Sequence, residues 1–166
     1  MARIEEEIYG RFQSEEHKAS VNLVYTGNWI NSTLDNLLKK YDLTSQQYNM
    51  LRILRGAYPE PVSLKYVRMR MLDKMSDVSR MADKLFRKGC IDRWQSTYDR
   101  RIVNIRINQQ GLVLLQQADK EVALIESCFT VLNTEELKQL NHLLDKLRTE
   151  GNKHLLLELS KTMKAT

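Results

Sequence analysis

Residues 63–107 have the sequence SLKYVRMRMLDKMSDVSRMADKLFRKGCIDRWQSTYDRRIVNIRI. Ser63 can cap one short helix, and Ser76 can cap a second one, which the sequence places at residues 76–88. Two strand-like segments follow, and the polar loop that joins them covers residues 96–101. The order therefore predicts two helices joined by a tight connection and then a β-hairpin.

The spacing of apolar residues predicts which faces of these segments are buried. The positions expected in the core are Leu64, Val67, Met71 and Leu72 in the first helix and Val78, Met81, Ala82, Leu85 and Phe86 in the second. In the second strand of the hairpin, Val103, Ile105 and Ile107 fall on one face because successive side chains of a strand alternate. The helix pair and the hairpin are therefore expected to share one core.

Positive charge is concentrated in the same part of the chain. Residues 62–106 hold 12 Lys and Arg against 5 Asp and Glu, a net charge of +7, whereas the whole chain carries +5 and the remainder therefore −2. This concentration indicates a polyanionic partner. A helix pair followed by a basic hairpin is typical of a winged helix-turn-helix, which places one helix in the major groove of DNA and the hairpin, or wing, beside it.

Helical patterns precede this region. Residues 20–41 carry apolar side chains at helical spacing over many turns. Thr44 and Gln47 fit a capping box, which opens another helix that ends near Gly56. We therefore expect a DNA-binding lobe over residues 44–107, with one long helix before it.

Helical patterns also follow the wing. Asn108 can cap a long helix that reaches about residue 129. Two more helical segments are expected at residues 134–149 and 153–164, with a break between them at Gly151. The sequence thus predicts a mainly α fold with a small β-hairpin wing.

The long helices on both sides carry more apolar residues than the lobe needs. Residues 20–41 and 108–164 are therefore expected to be dimerisation helices that bury each other across a two-fold axis. The complete architecture is a winged helix-turn-helix flanked by long dimerisation helices, in a single domain over residues 1–166.

The composition excludes several other classes of protein. No apolar run approaches the length of about 20 residues that spans a bilayer, and the charged N-terminal residues do not form a secretory signal. Cys90 and Cys128 form no CxxC motif and are expected to be reduced, inert thiols. We find no motif for catalysis, phosphate binding or metal ligation. We therefore expect a cytoplasmic protein that is not an enzyme and has no cofactor, metal or membrane partner.

Five segments together resemble the multiple antibiotic resistance regulator (MarR) family of bacterial transcription factors. They are Leu43-Thr44-Ser45-Gln46-Gln47-Tyr48, Leu51-Arg52-Ile53-Leu54, Ser76-Asp77-Val78-Ser79-Arg80-Met81-Ala82-Asp83-Lys84-Leu85, Arg87-Lys88-Gly89-Cys90-Ile91-Asp92-Arg93 and Asp99-Arg100-Arg101. The match is good over residues 43–112. In the flanking segments only the pattern of apolar residues matches. The resemblance implies an obligate homodimer that binds a palindromic operator, usually as a repressor, and that is often released by a small ligand or by oxidation.

The candidate DNA-binding residues lie at the two helix starts, on the polar face of the second helix and on the wing. They are Ser63, Lys65, Ser76, Asp77, Ser79, Arg80, Lys84, Arg87, Asp99, Arg100 and Arg101. Arginine can bind guanine edges and serine can bind a phosphate or a base edge. The resemblance implies that Arg101 enters the minor groove and that Asp99 orients an arginine. The alternatives are a merely solvated charged face and a winged-helix protein-interaction module without DNA binding.

Four residues are candidates for an effector site. His17, Tyr25, Trp29 and Tyr48 can line a cleft between the dimerisation helices and the lobe, where relatives hold aromatic anions. The effector would then be a small aromatic or anionic molecule. Aromatic residues at helical spacing are also typical of an ordinary core, so both interpretations stay open.

Overall fold

The structure is a computed structural model, and it describes residues 3–8, 11–97, 99 and 101–164. In these residues the α-helices are α1 (Ile4–Glu7), α2 (Glu15–Leu38), α3 (Ser45–Ala57), α4 (Leu64–Arg70), α5 (Val78–Arg87), α6 (Gln109–Ser127), α7 (Thr134–Lys146) and α8 (Asn152–Lys164). The strands are β1 (Val62–Ser63), β2 (Ile91–Gln95) and β3 (Val103–Ile107). The mainly helical fold with a small wing is therefore confirmed.

The three strands form one antiparallel sheet in the order β1-β3-β2. Ile91 pairs with Ile107 and Gln95 pairs with Val103 in the β2–β3 hairpin. The sequence did not predict β1, whose residue Val62 pairs with Ile105. A two-residue strand has no detectable period, and only its pairing partner makes it a strand.

The core of the lobe forms where α3, α4, α5 and the sheet meet. Its completely buried side chains include Leu51 of α3, Val67 of α4, Leu85 of α5 and Ile105 of β3. Each of these positions lies on the apolar face that the spacing predicts. The helices α4 and α5 are therefore fixed to the sheet by their apolar faces, which leaves their polar faces in solvent.

Two apolar residues of the lobe are more exposed than the sequence predicts. Helix α4 ends at Arg70, so Leu72 lies beyond the helix and is 83% exposed. Phe86 is 49% exposed. The buried face of α5 is centred on Ala82 and Leu85, and the Phe86 ring lies at the edge of that face. Helical spacing alone cannot distinguish the edge of an apolar stripe from its centre.

The caps that begin several helices were predicted correctly. Thr44 and Gln47 form the reciprocal capping box of α3, and the Ser63 hydroxyl accepts the N–H of Tyr66 at the start of α4. The Asn108 side chain accepts the N–H of Gly111 at 3.0 Å and thereby caps α6. Helix α2 begins earlier than predicted, because Ser14 caps it.

The chain divides into two compact units, one that ends at Ile125 and one that begins at Glu126. In the second unit, Asn133 and Glu136 form a capping box at the start of α7. The predicted break at Gly151 is wrong, since the helical path continues through a π-helical turn, Leu147–Gly151, into α8. The wider π turn tolerates a glycine that a sequence pattern treats as a helix end.

None of the helices in the described residues is both long enough and apolar enough to cross a membrane.

Candidate nucleic-acid interface

Helix α5 has two faces of opposite character. Its buried residues are Val78, Met81, Ala82 and Leu85. The side chains of Arg80, Lys84 and Arg87 are exposed, and Ser79 is half-buried between the two faces. The packing of the apolar face thus holds three cationic side chains on the free surface of the helix. We call α5 the recognition helix.

The start of the recognition helix differs in one respect from the sequence prediction. Asp77, and not Ser76, is the N-cap, and its carboxylate accepts the N–H of Arg80 at 3.0 Å. The Ser76 hydroxyl instead donates to the carboxylate of Asp73 at 3.0 Å. Asp73 already accepts a hydrogen bond from the backbone of this turn, and it also accepts the Ser76 hydroxyl, which is therefore not available to cap the helix. The prediction that Ser76 caps this helix is therefore wrong.

The Asp73 carboxylate organises the connection between α4 and α5. It accepts the N–H of Met75 at 2.9 Å, the hydroxyl of Ser76 and the side-chain amide of Gln46 at 2.9 Å. These hydrogen bonds, with that from Met75 as the largest contribution, lower the pKa of Asp73. The Asn49 side chain also accepts the N–H of Leu72 at 3.1 Å. Two residues of α3 thus clamp this turn.

The start of α4 holds two of the candidate DNA-binding residues, Ser63 and Lys65. The Ser63 hydroxyl is engaged as the N-cap, at 3.2 Å from the N–H of Tyr66. Lys65 and Arg68 are exposed. The Arg70 guanidinium lies 3.5 Å from the centre of the Tyr66 ring, which keeps it against the helix. Lys65 and Arg68 therefore remain available to an external anion.

Asp99 holds the backbone at the end of the wing loop that leads into β3. Its carboxylate accepts the backbone N–H of Arg101 at 2.9 Å, and its carbonyl accepts the N–H of Ile102 at 2.9 Å. Arg101 is exposed. Asp99 thus orients the backbone at Arg101, while the implied contact with a guanidinium is not among the hydrogen bonds of the described residues. Arg100 lies outside the described residues.

An ion pair that the sequence analysis missed joins the recognition helix to the wing. The Arg93 guanidinium of β2 binds the carboxylate of Asp83 on α5. Helical spacing favours Arg80 and Arg87 as partners of Asp83, because they lie within one turn of it. The actual partner, Arg93, lies on a different element, the strand β2, so no local sequence pattern predicts the ion pair. The pair fixes the angle between the two elements that carry the cationic side chains.

Comparison with known proteins identifies the group to which this fold belongs. No protein-family model matches the chain. An uncharacterized HTH-type transcriptional regulator of Bacillus cereus is 30% identical over 139 residues, which cover 80% of this chain and 88% of the relative. The multiple antibiotic resistance protein MarR of Escherichia coli is 29% identical over 125 residues, which cover 71% of this chain and 85% of that protein. The chain belongs to the MarR family of transcription regulators.

A solved structure of a protein bound to DNA shows the same fold. The S. aureus MepR–DNA complex matches with a TM-score of 0.73 and 21% identity, over 79% of this chain and 96% of that one. The winged helix-turn-helix architecture of this MarR-family chain is thus shared with a protein that was solved on DNA.

The four candidate effector residues of this MarR-family chain do not line one cavity. Tyr25 and Trp29 line a cavity between α1 and α2. Tyr48 lines a second cavity of about 380 Å³, formed by α2, α3 and the α4–α5 connection. His17 lies near the start of α2, where its ring stands edge-on to Phe12. Aromatic residues at helical spacing are thus divided between separate surfaces.

Tyr48 also belongs to a polar link that the sequence analysis did not find. Its hydroxyl donates to the carboxylate of Asp119 on α6 at 2.7 Å, and the Arg55 guanidinium binds the same carboxylate. Burial, followed by the hydrogen bond to Asp119, raises the pKa of Tyr48 to about 12. The hydroxyl is therefore a stable donor that fastens α3 to α6.

The two cysteines of the MarR-family chain differ in their surroundings. Cys90 is buried at the end of the recognition-helix segment, and burial raises the pKa of its thiol. Cys128 is exposed. A raised pKa disfavours the thiolate, which is the reactive form, so Cys90 has the chemistry of a packing residue.

Proposed function

We propose that this chain is a homodimeric repressor that binds a palindromic operator in double-stranded DNA. The recognition helix would enter the major groove and the wing would lie beside it at the minor groove. The observation that carries the proposal is the two-faced recognition helix, whose apolar side is locked into the lobe while Arg80, Lys84 and Arg87 remain exposed.

The charge of the lobe supports a nucleic acid over a protein as the partner. Residues 62–106 carry a net +7, and the exposed cations include Lys65 and Arg68 beside the three on α5. A basic surface that combines a helix with a hairpin can bind backbone phosphates on both sides of a groove. A protein-interaction module of this fold needs no such charge.

Exposed apolar residues support a dimer. In the first unit, Leu23, Val24 and Leu124 are about half exposed. In the second unit, apolar residues of α7, of the π-helical turn and of α8 are similarly exposed, namely Leu140, Leu143, Leu147, Leu155, Leu156, Leu157 and Leu159. So many large apolar side chains in solvent are typical of an interaction surface. A second copy of the chain is the occupant that a palindromic site requires.

The first test is selection of DNA sites from a random library with the full-length protein. We expect the selected sites to contain two inverted half-sites. In binding titrations on them, the logarithm of the association constant should fall with the logarithm of salt concentration, with a slope of about −0.9 for each phosphate contacted. Failure to enrich any site, together with a flat salt response, would support the protein-interaction alternative.

The second test concerns assembly. Sedimentation at micromolar concentration is expected to show a dimer, because interfaces of intertwined helices typically bury more than about 2,000 Å². Leu143→Asp combined with Leu147→Asp should yield monomers and weaken DNA binding. The control, Gln139→Asp with Asn141→Asp, adds the same charge to exposed polar positions of α7 and should remain dimeric. A folded wild-type monomer would contradict the dimer.

We further propose that the cavity beside Tyr48 holds a small aromatic anion that releases DNA. Its volume of about 380 Å³ suits a single substituted ring. Arg52 lines the cavity, with its guanidinium 5.8 Å from the centre of the Tyr48 ring, and would be the cation that holds the anion. Asp35 and Asp73 also line the cavity, and both carboxylates already accept hydrogen bonds from the protein. The same DNA titration with millimolar benzoate checks this: benzoate should weaken DNA binding by the wild type and not by Arg52→Ala. Equal behaviour of the two proteins would exclude this cavity.

A further inference from the structure

The last turn of α4 and the connection from it to α5 expose large apolar side chains. Met69 is 60% exposed, Leu72 is 83% exposed and Met75 is 92% exposed. Single exposed apolar residues are common on protein surfaces and need no explanation by themselves. Met75 differs in its position, since it lies two residues before Asp77, the N-cap of the recognition helix.

The backbone that carries Met75 is held firmly. Its N–H donates to the Asp73 carboxylate at 2.9 Å, and the next residue, Ser76, donates its hydroxyl to the same carboxylate. The side-chain amide of Gln46 on α3 also donates to the Asp73 carboxylate, at 2.9 Å. An exposed side chain on an ordered turn loses less conformational entropy when it binds than one on a floppy loop. The turn thus presents Met75 at a fixed place beside the recognition helix.

The surroundings of Met75 do not favour a phosphate contact. The Asp77 carboxylate already accepts the N–H of Arg80 at the helix start, and the Asp73 carboxylate accepts the N–H of Met75 itself. The ammonium group of the neighbouring Lys74 is engaged by the carbonyl of Met69 at 2.8 Å. Two carboxylates repel a phosphate. An apolar group there is better matched to an uncharged apolar target in the groove. In the major groove of DNA, the C5-methyl group of thymine is that target.

We propose that Met75 is a specificity-determining residue that contacts a thymine methyl group in each half-site. This inference rests on the proposed function, because it requires the recognition helix to enter the major groove. The contact would add a preference for thymine over cytosine or uracil at one position, next to the bases reached by Arg80. Selection for a methyl group is distinct from the guanine recognition that arginine provides.

Replacement of single thymines by deoxyuridine tests the proposal, since this change removes only the C5-methyl group. The probe is a duplex obtained by site selection with the full-length protein. For the wild type, each thymine-to-uracil change should weaken binding about fourfold, the effect of losing one buried methyl group, so that the change in both half-sites should weaken it roughly fifteenfold. Met75→Ala should show no such dependence, whereas Met75→Leu should retain it.

Met69→Ala is the matched control, because it removes the same side chain from an exposed position on α4. It should keep the wild-type response to deoxyuridine. The inference would be overturned if deoxyuridine weakened binding equally for Met75→Ala and the wild type at every thymine, or weakened it for neither. DNA binding itself would still stand, and Met75 would then be assigned to a protein-binding surface. If the wild type selects no DNA at all, the proposed function fails together with the inference.

Discussion

Gly111→Ala is expected to lower the free energy of unfolding by about 3 kcal/mol, at the upper end of the usual cost of overpacking. A Cβ atom at this position would lie 2.1 Å from the carbonyl oxygen of Cys90 and 2.8 Å from Cγ1 of Ile107. The Cys90 carbonyl cannot easily move away, because it accepts the N–H of Asn108 at 3.2 Å. Helix α6 would therefore have to shift away from the wing.

Urea denaturation of the wild type and of Gly111→Ala measures this loss of stability. Gly56→Ala is the control, since a Cβ at position 56 would meet nothing within 4 Å. Alanine is favoured over glycine inside a helix by roughly 0.5–1 kcal/mol, so the control should be as stable as the wild type or more stable. Equal urea midpoints for Gly111→Ala and the wild type would show that α6 does not approach Cys90 closely.

This close approach also shows how far the sequence alone can predict the structure. The cap at Asn108 was predictable, because a capping side chain and its N–H partner lie three residues apart. The contact between Gly111 and the carbonyl of Cys90 was not predictable, since it depends on how α6 packs against the residue that precedes β2, far from it in the sequence. Local patterns predict where elements begin, and packing determines where they touch.

The same distinction applies to the candidate site. The cationic face of α5 was predictable from helical spacing, and Arg80, Lys84 and Arg87 are indeed exposed. The Asp83–Arg93 ion pair and the Gln46–Asp73 hydrogen bond were not predictable, because each joins residues of two different elements. The sequence thus predicted the side chains that face outward but not the contacts that fix their positions.

Arg80→Ala is expected to produce a large loss of sequence-specific DNA binding. Arg80 lies on the exposed face of the recognition helix, one turn from its start, where a guanidinium can reach a guanine edge. Its removal should cost roughly 1–3 kcal/mol on a selected site and relax the preference at one position in each half-site. Binding to random DNA should change less, because that binding depends mainly on phosphate contacts.

Arg101→Ala should behave differently because Arg101 lies on the wing. We expect weaker binding to many sequences and a salt slope that is smaller by roughly one unit for each half-site. Any selectivity that is lost should concern A·T-rich flanks, where the minor groove is narrow and strongly negative. Asp99→Ala should act in the same direction but more weakly, since Asp99 only fixes the backbone at Arg101.

One set of titrations separates these roles. The wild type, Arg80→Ala and Arg101→Ala are each measured on a selected site, a site with exchanged flanks and random DNA, at two salt concentrations. Lys120→Ala, which removes an exposed cation of α6 outside the basic region, should match the wild type throughout. If Arg101→Ala also binds every probe like the wild type, the wing does not touch DNA. If Arg80→Ala weakens binding to all probes equally, Arg80 contacts a phosphate and the bases are read by other residues of the recognition helix.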